Sequence, residues 1–447
     1  MDPKIKDMTT GSPLKLIVSF SLPLMIGNVF QQLYTVIDTL IVGKALGVDA
    51  LAALGAVDWI YWMILGMIQG VTQGFGILMA REFGAKLYDR LRTVVGSSAS
   101  LAACAAILFV IVGQAAARPV LNILNTPVEI MGWSLLYLRL MVMGIPIVMA
   151  YNYLATILRS LGDGRTPLYA MIVAALVNIF LDLLFVLVLG WGISGAAVAT
   201  LIAQAISGLY CLAKIRRIEV LALNKSHFAL NPQTAGRLLS LGSPMAAQNA
   251  IIAVGGMIIT SVVNGYGVAF IGGFTAANKL YGILEIAATS YGYAMITYVG
   301  QNLGADKPDR IKTGMKCAVA VSLATSALIA AVMLTFGKAI VGSFISGAPE
   351  QVLEATKVGY TYLSFMSVCL PVLYILHVTR SAVQGMGNTV LPMVSGIAEL
   401  IVRTAGVLLI PMVMGENGIF LAEVLAWAGA DVILIPSYFL TYKKIKR

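Results

Sequence analysis

The stretch REFGAKLYDRLRT, Arg81–Thr93, is answered by QNLGADKPDRIKT, Gln301–Thr313. Working outward from this pair, SLPLM at Ser21–Met25 answers GSPMA at Gly242–Ala246 and sets Pro23 against Pro244. LRSLGDG at Leu158–Gly164 answers TRSAVQGMG at Thr379–Gly387, and GISGAAVAT at Gly192–Thr200 answers GENGIFLAE at Gly415–Glu423. The four matches come in order at offsets of 220 to 223 residues, so the chain is a duplication. It divides into a first lobe over 1–215, a connector over 216–236 and a second lobe over 237–447.

Composition says what is duplicated. The 447 residues are 59% hydrophobic and 11% charged, with a mean hydropathy of +0.89, whereas a soluble domain carries roughly 25% charged residues. Twelve apolar stretches are long enough to span a bilayer: 14–42, 53–77, 93–115, 133–157, 167–189, 193–213, 238–263, 272–299, 314–337, 357–378, 390–413 and 418–441. The first is too long for the apolar core of a signal peptide and reads as a span. With the N-terminus inside, 23 of the 30 Lys and Arg fall at the cytoplasmic side, among them Lys4, Arg380 and Arg447. This positive-inside bias places both termini in the cytoplasm and makes the net charge of +10 topological rather than a nucleic-acid footprint. The expected fold is an all-α polytopic membrane protein, with two six-helix bundles related by a pseudo-twofold axis along the membrane normal. Such a pair makes a cleft that opens to either side by rocking.

Ionisable groups inside a bilayer are costly and usually functional. Asp38 lies near the outer end of span 1, Asp182 on span 5 and Thr200 two turns into span 6, at depths agreeing within a turn. Asn178 shares a helix face with Asp182, and the short GWGIS turn at Gly190–Ser194 makes spans 5 and 6 neighbours. Two carboxylates, an amide and a hydroxyl can thus converge. Paired carboxylates in a low dielectric cannot easily both ionise, so the pair can hold a proton; alternatively its oxygens can coordinate Na⁺, with Asp38 and Asp182 as the charged ligands. The second lobe does not repeat the set: Asp38 maps to Ile259, Asp182 to Ala405 and Thr200 to Glu423. The coupling ion is therefore expected in the first lobe alone. Glu285 is a candidate for holding a cationic substrate or a second proton, Glu399 and Arg403 are expected to pair, and His377 reads as a packed or interfacial histidine. Tyr34, Met257 and Tyr281 are candidates for a permissive substrate pocket. Pro23, on the helix of Asp38, is a candidate hinge. Trp59, Tyr61 and Trp62 read as an interface belt, and the four cysteines as buried small apolar residues.

No phosphate-binding loop suggests ATP drive and no G-x-S-x-G elbow suggests a hydrolase, so no enzyme and no cofactor beyond a coupling H⁺ or Na⁺ is expected. Over nearly its full length the chain resembles the multidrug and toxic compound extrusion (MATE) transporters of bacteria. The resemblance is carried by QQLYTVIDTLIVGKALGVDALAALGA at Gln31–Ala56, the REFGA and QNLGA loops, and the duplicated halves of six spans. It implies a V-shaped pair of bundles in the cytoplasmic membrane. It also implies a first-lobe cation site on Asp38, Asn178, Asp182 and Thr200, and export of organic cations or amphipathic compounds by a monomer. Some members carry acids on spans 7 and 10; span 7 here has none and span 10 offers only His377. The alternative is a lipid-linked oligosaccharide flippase or specialised-metabolite exporter of the wider superfamily, against which the few intramembrane cations count.

Overall fold

The computed structural model describes residues 5–345 and 349–446. Lys4 and Arg447, counted above among the cytoplasmic charges, lie outside them. Helices account for nearly all of the described chain. In order they are α1 (Pro13–Leu46), α2 (Val48–Gly84), α3 (Tyr88–Ile123), α4 (Val128–Met143), α5 (Ile145–Ser160), α6 (Arg165–Asp182) and α7 (Ile193–Ile215). After a connector come α8 (Pro232–Val263), α9 (Val268–Gly304), α10 (Pro308–Phe344), α11 (Pro349–Gly385), α12 (Val390–Leu409), α13 (Pro411–Met414) and α14 (Asn417–Lys446). Ten are long and apolar enough to cross a membrane, and α4 with α5 makes an eleventh crossing bent by 46°. The break falls at Gly144, just before Pro146, which cannot continue the hydrogen-bonding of α4. The remaining expected span, 272–299, lies within α9, 37 residues long and carrying Lys279 and Glu285.

The duplication extends to backbone conformation. The two loops of the opening match close with a left-handed residue at the same repeat position, Lys86 at φ 60° and Asp306 at φ 55°. Each is followed by the same wrap-around bond, Leu87 N–H to Glu82 O and Lys307 N–H to Asn302 O. α5 and α11 both end in a left-handed glycine, Gly162 and Gly387, where a side chain would be strained. The next residue caps the following helix in each copy: the Asp163 carboxylate accepts from the N–H groups of Arg165 and Thr166, and the Asn388 amide oxygen from that of Leu391.

The chain forms two compact units, one of residues 1–8 and 22–246, the other of 9–21 and 247–447. The boundary thus crosses α1 beside Pro23 and α8 just after Pro244. In the first unit α2 packs on α3, α4 and α5, and α7 packs on α4, α5 and α6. In the second, α11 packs on α9, α10 and α14, and α12 on α14. The start of α8 belongs with the first unit because glycines let backbones touch. Gly70 and Gly74 on α2 lie against Ala246 and Gly242 on α8, a small-residue crossing of the kind that brings membrane helices together. The connector is held to α3: Arg92 Nε donates to Val220 O, Ser97 Oγ to Ala229 O and Ser100 Oγ to Phe228 O. Gly96 admits the carbonyl of His227 at the same face.

Candidate functional site

Three helices bring the first-unit residues together. α1 supplies Tyr34 and Asp38, one turn apart; α6 supplies Asn178 and Asp182; α7 supplies Thr200 and Gln204. Asp182 is the last residue of α6. The chain then widens into a π-helical turn, Leu183–Val188, in which Leu189 N–H reaches back to Leu184 O. Such insertions recur at functional sites because they re-aim neighbouring side chains. α7 is tied to α6 by Ser207 Oγ donating to Ala170 O, and Gly195 lets its first turn approach Phe185.

Asn178 and Asp182 are 1% and 0% exposed. Asn178 Nδ2 donates to Thr200 Oγ1 over 3.5 Å. The Asp38 and Asp182 carboxyls lie within hydrogen-bonding reach of each other, yet as two carboxylates they can only accept. Asp38 Oδ1, both oxygens of Asp182, Asn178 Oδ1 and Gln204 Oε1 are accordingly buried acceptors without a donor among the described residues. Buried polar atoms are nearly always paired, and two adjacent carboxylates keep one negative charge far more easily than two. A set of oxygens short of donors and carrying excess negative charge fits a proton or a small hard cation.

Sequence reasoning found Asp38, Asn178, Asp182 and Thr200 and missed their surroundings. Gln204 is one turn beyond Thr200, and that spacing was available in the sequence. The Tyr34 hydroxyl approaches Gln31 and Gln204 and feels the charge of Asp38, which puts Tyr34 at this site. Tyr61, read as part of an interface belt, faces Tyr34 instead, while Trp62 is exposed and meets Trp59 edge to face. Tyr137 on α4 is buried beside Asp38 and Tyr61. Neither tyrosine carries a sequence signal separating it from a lipid-facing ring.

The second unit has different chemistry. Ile259, the counterpart of Asp38, is a buried apolar residue, and Glu423, the counterpart of Thr200, accepts a hydrogen bond from Tyr362 at 2.9 Å. Glu285 lies 3.1 Å from His377, so His377 is the partner of an acid rather than merely a packed ring. Glu399 and Arg403 pair at 2.9 Å, as their spacing suggests. Arg380 is not a loop charge: it is buried and reaches the other oxygen of Glu399 at 2.7 Å. Tyr281 stacks on Trp427 with ring centres 5.9 Å apart and meets Tyr362 edge to face. Met257 is half-buried on α8.

Twin helical bundles and a carboxylate pair buried within one of them define a multi-pass membrane protein of the transporter class. The MatE family model matches residues 23–184 and 244–409, one match in each repeat, and the chain belongs to that family. The probable multidrug resistance protein YpnP of Bacillus subtilis (strain 168) is 29% identical over 384 residues, covering 86% of this chain and 85% of that one. The multidrug export protein MepA of Staphylococcus saprophyticus is 20% identical over 419 residues, 94% of this chain and 90% of that one. Among solved structures, an outward-facing multidrug resistance MATE family transporter of the MOP superfamily superposes with a TM-score of 0.91 at 21% identity, covering 100% of this chain and 99% of that one. This likeness establishes the fold.

Proposed function

We propose that this chain is a secondary active antiporter that exports organic cations and amphipathic compounds in exchange for H⁺ or Na⁺. The observation that carries the coupling is the cluster of donor-starved oxygens on Asp38, Asn178 and Asp182. Such a cluster is completed by one cation and strained without it. The naming of YpnP and MepA as multidrug proteins supports the substrate class. The distribution of Lys and Arg supports a cytoplasmic membrane location with both termini inside and a working monomer is the simplest unit, since duplication supplies two lobes in one chain.

In this reading the ion reaches Asp38 and Asp182 from outside. Its binding removes the repulsion between α1 and α6 and lets α1 repack. Pro23 lacks the N–H that would hold the preceding turn, so α1 can bend there. Glu285, Tyr281, Met257 and Tyr34 are the residues assigned to holding substrate, through charge, ring faces and a deformable thioether. The test is ion binding by the purified protein without substrate. Proton release on a pH jump, or retention of radioactive Na⁺, should identify the ion and should fall in both Asp38→Asn and Asp182→Asn. Equal ion binding by wild type and both variants would refute the assignment.

A further inference from the structure

The interior of the second unit contains more acid than the coupling scheme uses. Glu399 is gripped by Arg380 from α11 at 2.7 Å and by Arg403, one turn along α12, at 2.9 Å. Glu423 on α14 accepts from Tyr362, and Glu285 on α9 meets His377 on α11 at 3.1 Å. Asp431, two turns beyond Glu423 on α14, is 7% exposed, and its Oδ1 has no hydrogen-bond partner among the described residues. Arg380 Nε, equally buried, has none either. Arg380 and Glu399 are the charges that act on Asp431.

Net charge inside a bilayer is costly, so such a cluster settles near neutrality. Glu285 and His377 cancel, whether as an ion pair or as a neutral acid on a neutral imidazole. Glu399 offsets one guanidinium. Glu423, which has a hydroxyl donor and feels the charge of Arg403, offsets the other. Asp431 then has neither a donor nor a cation of its own. The remaining groups near it do not change this. α13 has no ionisable residue, α10 carries its charges towards its ends, at Asp309, Arg310, Lys312, Lys316 and Lys338, and Lys279 on α9 is exposed.

We propose that the second unit holds an exchangeable proton of its own on Asp431, released when Arg380 turns its unpaired Nε to that carboxylate. On release the Asp431 O–H bond breaks and the proton leaves to water at the exposed edge of the side chain. The new carboxylate is matched by Arg380, while Glu399 keeps Arg403. One unpaired donor and one unpaired acceptor are satisfied together. This site lies outside the first-unit cluster and does not rest on it.

Trp427 is one turn before Asp431 and 2% exposed, which makes it a local reporter. In full-length protein with Trp59, Trp62, Trp133 and Trp191 changed to Phe, Trp427 fluorescence is titrated against pH without substrate. A titration is expected that is lost in Asp431→Asn, displaced in Arg380→Lys, and kept in Asp38→Asn and Asp182→Asn. The last two separate this proposal from the first-unit assignment. Asp431→Glu, for the case in which Asn does not fold, should titrate with a displaced midpoint. The proposal is overturned if Trp427 shows no titration, if Asp431→Asn titrates like the parent, or if neither Arg380→Lys nor Asp431→Glu moves the midpoint.

Discussion

Adding a single methyl group at either of two glycines on α2 should move stability in opposite directions. At Gly74, a Cβ would lie 2.4 Å from Gly242 Cα, 2.6 Å from Gly242 N and 2.7 Å from the carbonyl carbon of Leu241. All three are backbone atoms, so no side chain can rotate away, and ordinary contact requires the helices to part by about 1 Å. Overpacking of this kind costs about 1–3 kcal/mol, at the upper end where the obstacle is rigid. The helix propensity of Ala over Gly returns at most about 1 kcal/mol, leaving Gly74→Ala less stable by about 2 kcal/mol. At Gly55 nothing lies within 4 Å of the added carbon, so Gly55→Ala keeps the propensity gain alone. For a unit of this size roughly 1 kcal/mol moves the midpoint by about 2–4 °C. Thermal unfolding of purified protein in detergent, followed by tryptophan fluorescence, should therefore show Gly74→Ala about 4–8 °C below wild type and Gly55→Ala slightly above it. A Gly74→Ala protein as stable as wild type would refute the backbone crossing of α2 with α8, and with it the reason the start of α8 belongs to the first unit.

Glu399→Gln should destabilise by about 3–5 kcal/mol, because it leaves Arg380 and Arg403 buried without their shared counter-charge; the same unfolding measurement reads it, and an unchanged midpoint would mean the triad is not buried as described. Gly96→Leu should lift the connector from α3, since even a Cβ there would overlap the carbonyl of His227. Limited trypsin digestion should then cut faster at Arg216, Arg217 and Lys225, and an unaltered cleavage rate would count against the docking.

The architecture was legible because its determinants are local and repeated. Each expected span coincides with a helix or a broken pair, and the matched loops carry matched left-handed residues at Lys86 and Asp306. Asp38, Asn178, Asp182 and Thr200 could be placed together because depth and helix face are fixed by rise and periodicity. What the sequence left open depends on rotation of one helix against another. Tyr61 turns inward while Trp62 turns outward, three residues from Trp59, and no hydropathy window separates them. Arg380 was read as a loop charge because it follows an apolar run. In the structure α11 continues to Gly385 and carries it inside to Glu399. His377 met an acid on α9 that lies 92 residues away in sequence, a pairing visible only after folding. The duplication gave the positions equivalent to the first-unit site, but the chemistry placed there by substitution had no precedent in the first copy.

The most direct test of ion coupling is ethidium efflux from vesicles containing the protein, under an imposed Na⁺ or H⁺ gradient. Wild type should export ethidium under one of the two gradients, and Asp38→Asn and Asp182→Asn, folded and inserted, should not. Gradient-driven efflux at the wild-type rate in both variants would contradict the assignment of coupling to this carboxylate pair.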